Sequence, residues 1–351
     1  MSPVTEDEQF LANAPRHLSE DRGFVPLAST DFGGVVRLGS TWLGCVPITE
    51  KRVKSAGPPR SLVSRANREQ KDHEKQLYNR VIEAYRLLSV HAPELVNLAQ
   101  SVGSIIKQQK HVESSFYIGA SDNVHICIST HHTNSKVSDE VNLEFDARYN
   151  GDGLRAQCIG LYPDDDVDID VNCIGDFRDE PIPRPLIPTV PNITSVPAVP
   201  PVPGDPKSGI GTSLGGAVVT GGLLEEGDIV YVIGFNQNPT EETLQQFAAY
   251  YLNQWHATLS LNDAFSALRP LTKVVSPGVV TKIEGTIAHV TCTLWFGSSG
   301  SPCFRISERG ELELVGKVKA GASVMNRNLI QVFPSNLAEL ISSAIRADSA
   351  V

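Results

Sequence analysis

The stretch from Pro181 to Pro206 constrains the fold more than any other. Prolines stand at Pro181, Pro183, Pro185, Pro188 and Pro191 and recur from Pro197 to Pro203. Each fixes φ and lacks an N–H, so the stretch runs extended and builds neither a helix nor a central strand. It therefore divides a chain of 351 residues, long enough for two or three structural units, into a part before and a part after.

Short apolar runs broken by turns fill the part before. Val102–Lys107 and Ser114–Gly119 read as strands. After the Asp122-Asn123 turn come Val124–Thr133 and Val141–Phe145, and after the Asn150–Gly153 turn Leu154–Gly160. Upstream of these, residues 67–92 read as a helix, with Asn67 and Gln70 as a capping pair and Leu77, Val81, Tyr85 and Leu88 at helical spacing. Ala92-Pro93 ends that helix, and Pro93 opens a second short one through Ala99. Residues 1–30 are polar and acidic, 32–48 can add a short strand pair or docking segment, and 51–65 form a basic linker.

The part after the prolines is also strand-like, with Glu226–Phe235, Ser276–Thr281, Gly285–Leu294 and Leu312–Val318. Residues 241–268 interrupt it with a helical pattern, and Pro334–Ile341 reads as a closing helix. Between the last two runs lies Gly297-Ser298-Ser299-Gly300-Ser301-Pro302. Glycines allow a tight fold there and a close approach by another molecule. A serine between them can present a hydroxyl nucleophile beside N–H groups that hold a developing oxyanion. A plain Gly/Ser hairpin turn is the simpler use of the same residues.

Three further stretches bear on that choice. Val124–Ser129 runs into Ser129-Thr130-His131-His132. Tyr162-Pro163 leads into Asp164 to Asp170 and then Val171. Glu226-Gly227-Asp228 opens an apolar run closed by Gly234. Together with Gly-x-Ser-Gly-Ser-Pro, these resemble the trypsin/chymotrypsin-clan serine proteases, and most closely their HtrA-like branch, over about residues 100 to 345.

The resemblance implies a mainly β fold of two antiparallel six-stranded β-barrels (trypsin-like), with an N-terminal helical extension and a helical insertion in the second barrel. The expected layout is a partly disordered extension over 1–66, accessory helices over 67–101, a first barrel over 102–180, a Pro-rich linker over 181–208, and a second barrel over 209–345 with its insertion at 241–268. It implies a serine endopeptidase with Ser299 as nucleophile, the N–H groups of Gly297 and Ser299 as oxyanion hole, and His132, three residues after Ser129, as base beside His131. Asp168 fits the apolar register of the acid, and Asp166 fits the spacing from Pro163. With Asp170 they would share one face of a strand. Used structurally, the same aspartates would keep a sheet edge soluble or bind Ca²⁺.

Thr293, Lys319 and Gly321 are the implied specificity-pocket residues. An uncharged Thr293, with Lys317 and Lys319 on the following strand, disfavours Lys or Arg before the cleaved bond. Ser298 stands where zymogens carry an activating Asp, and the chain after residue 345 is too short for a PDZ domain. No metal or organic cofactor is required. The partner is a protein or peptide substrate, with helices 67–101 and 241–268 as surfaces for an oligomer or another partner. A catalytically inactive pseudoprotease that binds peptides or scaffolds partners is the alternative, and an ester hydrolase a third.

Charge and composition narrow the field. A net charge of -10 argues against nucleic acid as the main partner. No apolar run is long enough to cross a bilayer, and the acidic N-terminus lacks a signal core. Six scattered cysteines without a C-x-x-C pair suggest reduced, buried thiols and a cytoplasmic or other intracellular location.

Overall fold

In a computed structural model of the chain, the described residues are 46–48, 53–54, 72–108, 110–121, 124–131, 136–145, 154–163, 167–174, 186, 224–237, 272–322, 327–334 and 336–348. In chain order the elements are β1 (Val46–Pro47), α1 (Asp72–Ala99), β2 (Val102–Lys107), β3 (Lys110–Ser121), β4 (Val124–Ser129), β5 (Glu140–Glu144), β6 (Leu154–Tyr162) and β7 (Ile169–Ile174). Then follow β8 (Ile229–Phe235), β9 (Lys273–Glu284), β10 (Ile287–Val290), β11 (Pro302–Ile306), β12 (Leu312–Ala322), β13 (Arg327–Val332) and α2 (Leu337–Asp348).

The first six strands after α1 close into an antiparallel barrel in the order β2-β3-β4-β7-β6-β5, sealed where Ile105 meets Leu143. The next six run β8-β9-β10-β13-β12-β11 and close where β11 pairs β8 from Cys303↔Val232 to Arg305↔Val230. Numbered within each barrel, both orders are 1-2-3-6-5-4. One topology is thus built twice, as expected of a trypsin-like double barrel. Short β1 only adds Val46 and Pro47 beside Val275 and Val274 of β9, and residues 32–45 of the expected docking segment lie outside the described residues. Each barrel has its own apolar filling: Ile105, Tyr117, Cys127, Leu143 and Ile174 in the first, and Val230, Val232, Val290, Val315 and Ile330 in the second.

Helix α1 differs from the expected helix over 67–92 followed by a short second one through Ala99. It continues through Pro93 as one helix of 28 residues. Proline removes a hydrogen bond and costs about 3 kcal/mol in a helix interior. The apolar face, however, continues past it. Leu88, Ala92, Leu95, Leu98 and Ala99 are buried in one cluster with Val81 and Tyr85, and each large side chain contributes about 2 kcal/mol. That cluster includes Tyr231 and Val275 of the second barrel, and Tyr231 donates its hydroxyl hydrogen to Ala84 C=O. The apolar face of α1 is thus covered by the chain's own second barrel.

Two contacts join the units end to end. Lys273 of β9, 3% exposed, donates from Nζ to the C=O of Ala99 at the end of α1 and to Phe145 C=O after β5, and lies over the Phe235 ring. A cation is favourable at a helix C-terminus. Helix α2 follows the second barrel yet packs on the first: Tyr162 donates to Leu340 C=O, and Ala344 lies against Gly160. The insertion 241–268 and, apart from Leu186, the linker 181–208 lie outside the described residues. Among the described residues no helix is long and apolar enough to cross a membrane.

Candidate active site

Main-chain groups shape the loop from Trp295 to Ser301. Gln237 N–H donates to Phe296 C=O, Ser298 N–H to Trp295 C=O, Ser301 N–H to Ser298 C=O, and Gly300 N–H to Val318 C=O. The N–H groups of Gly297 and Ser299 have no hydrogen-bond partner among the described residues. The Phe296 N–H likewise has none, so three amides of the loop are left over, and those of Gly297 and Ser299 flank one that is used. Such donors can hold an oxyanion that forms beside Ser299. The Ser299 residue is half-buried, and its hydroxyl makes no hydrogen bond among the described residues.

The loop is pressed onto the first barrel. Ser114 of β3 donates its N–H to Ser299 C=O at 2.8 Å and its hydroxyl to Gly297 C=O at 3.0 Å, while accepting from Phe235 N–H. His111 approaches the same Gly297 carbonyl with Nε2 at 3.1 Å and Ser104 Oγ with Nδ1 at 2.6 Å. A carbonyl only accepts, so Nε2 carries the proton and Nδ1 accepts from the Ser104 hydroxyl. Burial pushes the His111 imidazole down to about 4, against the raising effect of its contacts with the Gly297 and Phe235 backbone. It is neutral in the folded protein at ordinary pH.

Glycine is required twice in this loop. Gly297 has φ 86, and a Cβ on it would lie 2.5 Å from His111 Nε2 and 2.7 Å from Gln237 N. Gly300 has φ 80, and a Cβ there would lie 2.0 Å from Ser114 O and 3.4 Å from Ser129 Cα. The second contact fixes an important neighbour. The Ser299 loop rests on the strand end that leads to the histidine pair.

At that strand end, His131 Nδ1 lies 3.2 Å from Oδ1 of Asp170, a residue with no exposed surface, and the imidazole is 31% exposed. A carboxylate only accepts, so Nδ1 carries hydrogen. Asp170 sits opposite Ser129 in the β4–β7 register, and Asn172 on the same face donates to Ser129 Oγ. Thr130 donates to the buried Glu113 carboxylate. Asp168 takes a different partner: its Oδ2 is 3.3 Å from Nζ of Lys317, a buried residue of the second barrel.

Of the residues singled out by sequence, Gly297 and Ser299 form the loop described above. His132 and Asp166 lie outside the described residues. Asp168 is turned to Lys317, and the histidine–carboxylate contact is made by His131 and Asp170. Sequence reasoning placed these two as neighbours of the triad positions; only the β4–β7 register brings them together. Thr293 is buried just before the loop, Lys319 is half-buried on β12, and Gly321 pairs Asn328. Sequence reasoning also missed Ser104, His111 and Ser114. The signal available was a polar His and Ser set within two strands that close a barrel. Among the described residues no group of three or more His, Cys, Asp or Glu side chains could hold a metal ion.

No family model matches the chain, and no curated protein does. Among solved structures, it is similar to the inactive form of a serine-to-alanine mutant of Rv3671c from M. tuberculosis H37Rv, at 12% identity over 74% of this chain and 91% of that one, with TM-score 0.38. It is similar to the MamO protease domain from Magnetospirillum magneticum at 13% identity, over 70% and 96% of the two chains, with TM-score 0.36. A Glu endopeptidase in complex with MPD is similar at 12% identity, over 72% and 92%, with TM-score 0.38.

Proposed function

We propose that the chain is a serine endopeptidase of the trypsin-like, HtrA-like kind, hydrolysing peptide bonds through an acyl-enzyme on Ser299. One observation carries this reading. The Ser299 loop leaves the alternate amides of Gly297 and Ser299 without partners among the described residues, spends those of Ser298, Gly300 and Ser301 internally or on β12, and is seated against the strand end that leads to His131 and His132. The Ser299 hydroxyl attacks the scissile carbonyl as a histidine takes its proton, and the amides of Gly297 and Ser299 hold the oxyanion. The same histidine returns the proton to the leaving amine, and water then releases the acyl group by the reverse use of the same parts. No metal or organic cofactor enters this scheme.

The His131–Asp170 contact supports these two as base and acid. The competing pair, His132 and Asp168, is supported by the Ser129-x-x-His spacing and the apolar register. Thr293, Lys319 and Gly321 line the pocket in either version, with an uncharged residue accepted before the cleaved bond. The buried thiols of Cys127, Cys158, Cys292 and Cys303 suit a reducing, intracellular compartment.

Peptide hydrolysis tests the reading, with simple esters run beside the peptides. Ser299→Ala should lower the rate by about 10⁶. His131→Ala should match that loss and Asp170→Asn should cost about 10⁴, while His132→Ala and Asp168→Asn each cost about tenfold. The reverse ranking assigns the triad to His132 and Asp168. A wild-type chain that is folded but cleaves no peptide and no ester favours the pseudoprotease, a reading that draws on the absence, among the described residues, of a bond from the Ser299 hydroxyl to a histidine.

A further inference from the structure

A fully buried ammonium is costly unless it is paired, and Lys317 is 0% exposed. Its counter-ion, Asp168, belongs to the other barrel, 3.3 Å away and two residues before the aspartate that meets His131. Asp168 has φ 42, a left-handed conformation that a side-chain-bearing residue holds only when its surroundings favour it. The chain entering β7 is therefore held in an unusual shape at the point where its carboxylate reaches Lys317. On the other side, the residue after Lys317 is the anchor of the nucleophile loop. Val318 accepts the Gly300 N–H and donates its own N–H to Ser301 C=O, each at 2.8 Å.

We propose that Lys317 is a positioning residue: its ion pair with Asp168 sets the spacing between the acid–base strands of the first barrel and the nucleophile loop of the second. This rests on the protease reading above, with His131 and Asp170 as base and acid. Because the tether is a charge, it fails when the charge is removed. Burial pushes the Lys317 amine down to about 8, while Asp168 and then Glu113 of β3 pull it up and Lys319 of β12 pushes it further down. As pH rises through that value the ammonium gives its proton to solvent, the pair dissolves and Ser299 reactivity falls.

The test uses the full chain, with the rate of Ser299 labelling by a fluorophosphonate followed across pH and the lysine amines followed by ¹³C NMR. Wild type should show an alkaline decline in labelling centred near pH 8, tracking a lysine resonance that titrates there and is missing from Lys317→Met. Lys317→Met should label about 10–100-fold more slowly below pH 8, with the decline absent. Asp168→Asn removes the largest raising influence, so both the decline and the resonance should move to lower pH. This variant keeps the test open if Lys317→Met does not fold. An alkaline limb that stays in place in Asp168→Asn, or labelling abolished at every pH in that variant, overturns the proposal. If nothing labels in wild type, the protease reading fails instead, and the NMR titration still reports whether Lys317 and Asp168 are coupled.

Discussion

Main-chain groups hold the Ser299 loop. Its carbonyls take N–H groups from Ser114 and Gln237, its Gly300 amide is spent on Val318, and two glycines sit where a Cβ would strike the first barrel. The strands facing it are held by buried charge. Asp170 meets His131, Asp168 meets Lys317, and Glu113 accepts from Thr130. The loop and the strands therefore fail in different ways. A loop fixed by amides and sterics is indifferent to pH and intolerant of added atoms. Strands fixed by buried carboxylates tolerate some change of shape but depend on which groups are ionised.

Gly300→Ala breaks the loop side most severely. The added methyl would meet the Ser114 carbonyl at 2.0 Å, and the backbone holds φ 80. Neither partner is the end of a flexible side chain. We expect a loss of on the order of 4 kcal/mol in chemical denaturation, together with loss of fluorophosphonate labelling. A variant as stable as wild type would mean that the two barrels do not meet at this loop.

His111 is the exception on the loop side, a titratable group among amides, and it sharpens the contrast. Its folded value of about 4 lies below the ordinary 6.5. Between those limits the unfolded chain binds a proton that the folded chain does not. Stability is therefore fully present above pH 6.5 and falls as pH drops towards 4, by about 3 kcal/mol at 1.36 kcal/mol per unit. Denaturation curves from pH 7 to 4 should show this slope, and His111→Gln should flatten it. Ser114→Ala ranks last. Losing the hydroxyl that bridges Gly297 C=O and Phe235 N–H should cost about 1–2 kcal/mol with little dependence on pH.

Much of the architecture could be read from local pattern. Alternation in Leu154–Gly160 and Val141–Phe145, and the apolar run of Ile229–Phe235, mark strands because one or both faces must be buried. Gly297 and Gly300 could be singled out because a tight turn admits few other residues. The single helix through Pro93 was not legible, since the packing that overrides the proline comes from a barrel distant in sequence. Nor was the His131–Asp170 contact. The aspartates at 166, 168 and 170 share a strand face in pattern, and what separates 168 from 170 is a buried lysine 149 residues away from the first of these two. His111 and Ser114 escaped notice because their function is to brace a loop of the other barrel, which no local spacing encodes.

The most direct measurement is the site of covalent capture. The folded wild-type chain, treated with a fluorophosphonate at pH 7 and analysed by intact mass and peptide mapping, should gain a single phosphonyl adduct on Ser299, and Ser299→Ala should gain none. An unmodified wild-type chain, or an adduct spread over other serines, would contradict the proposal that the Ser299 loop is a working acyl-transfer site.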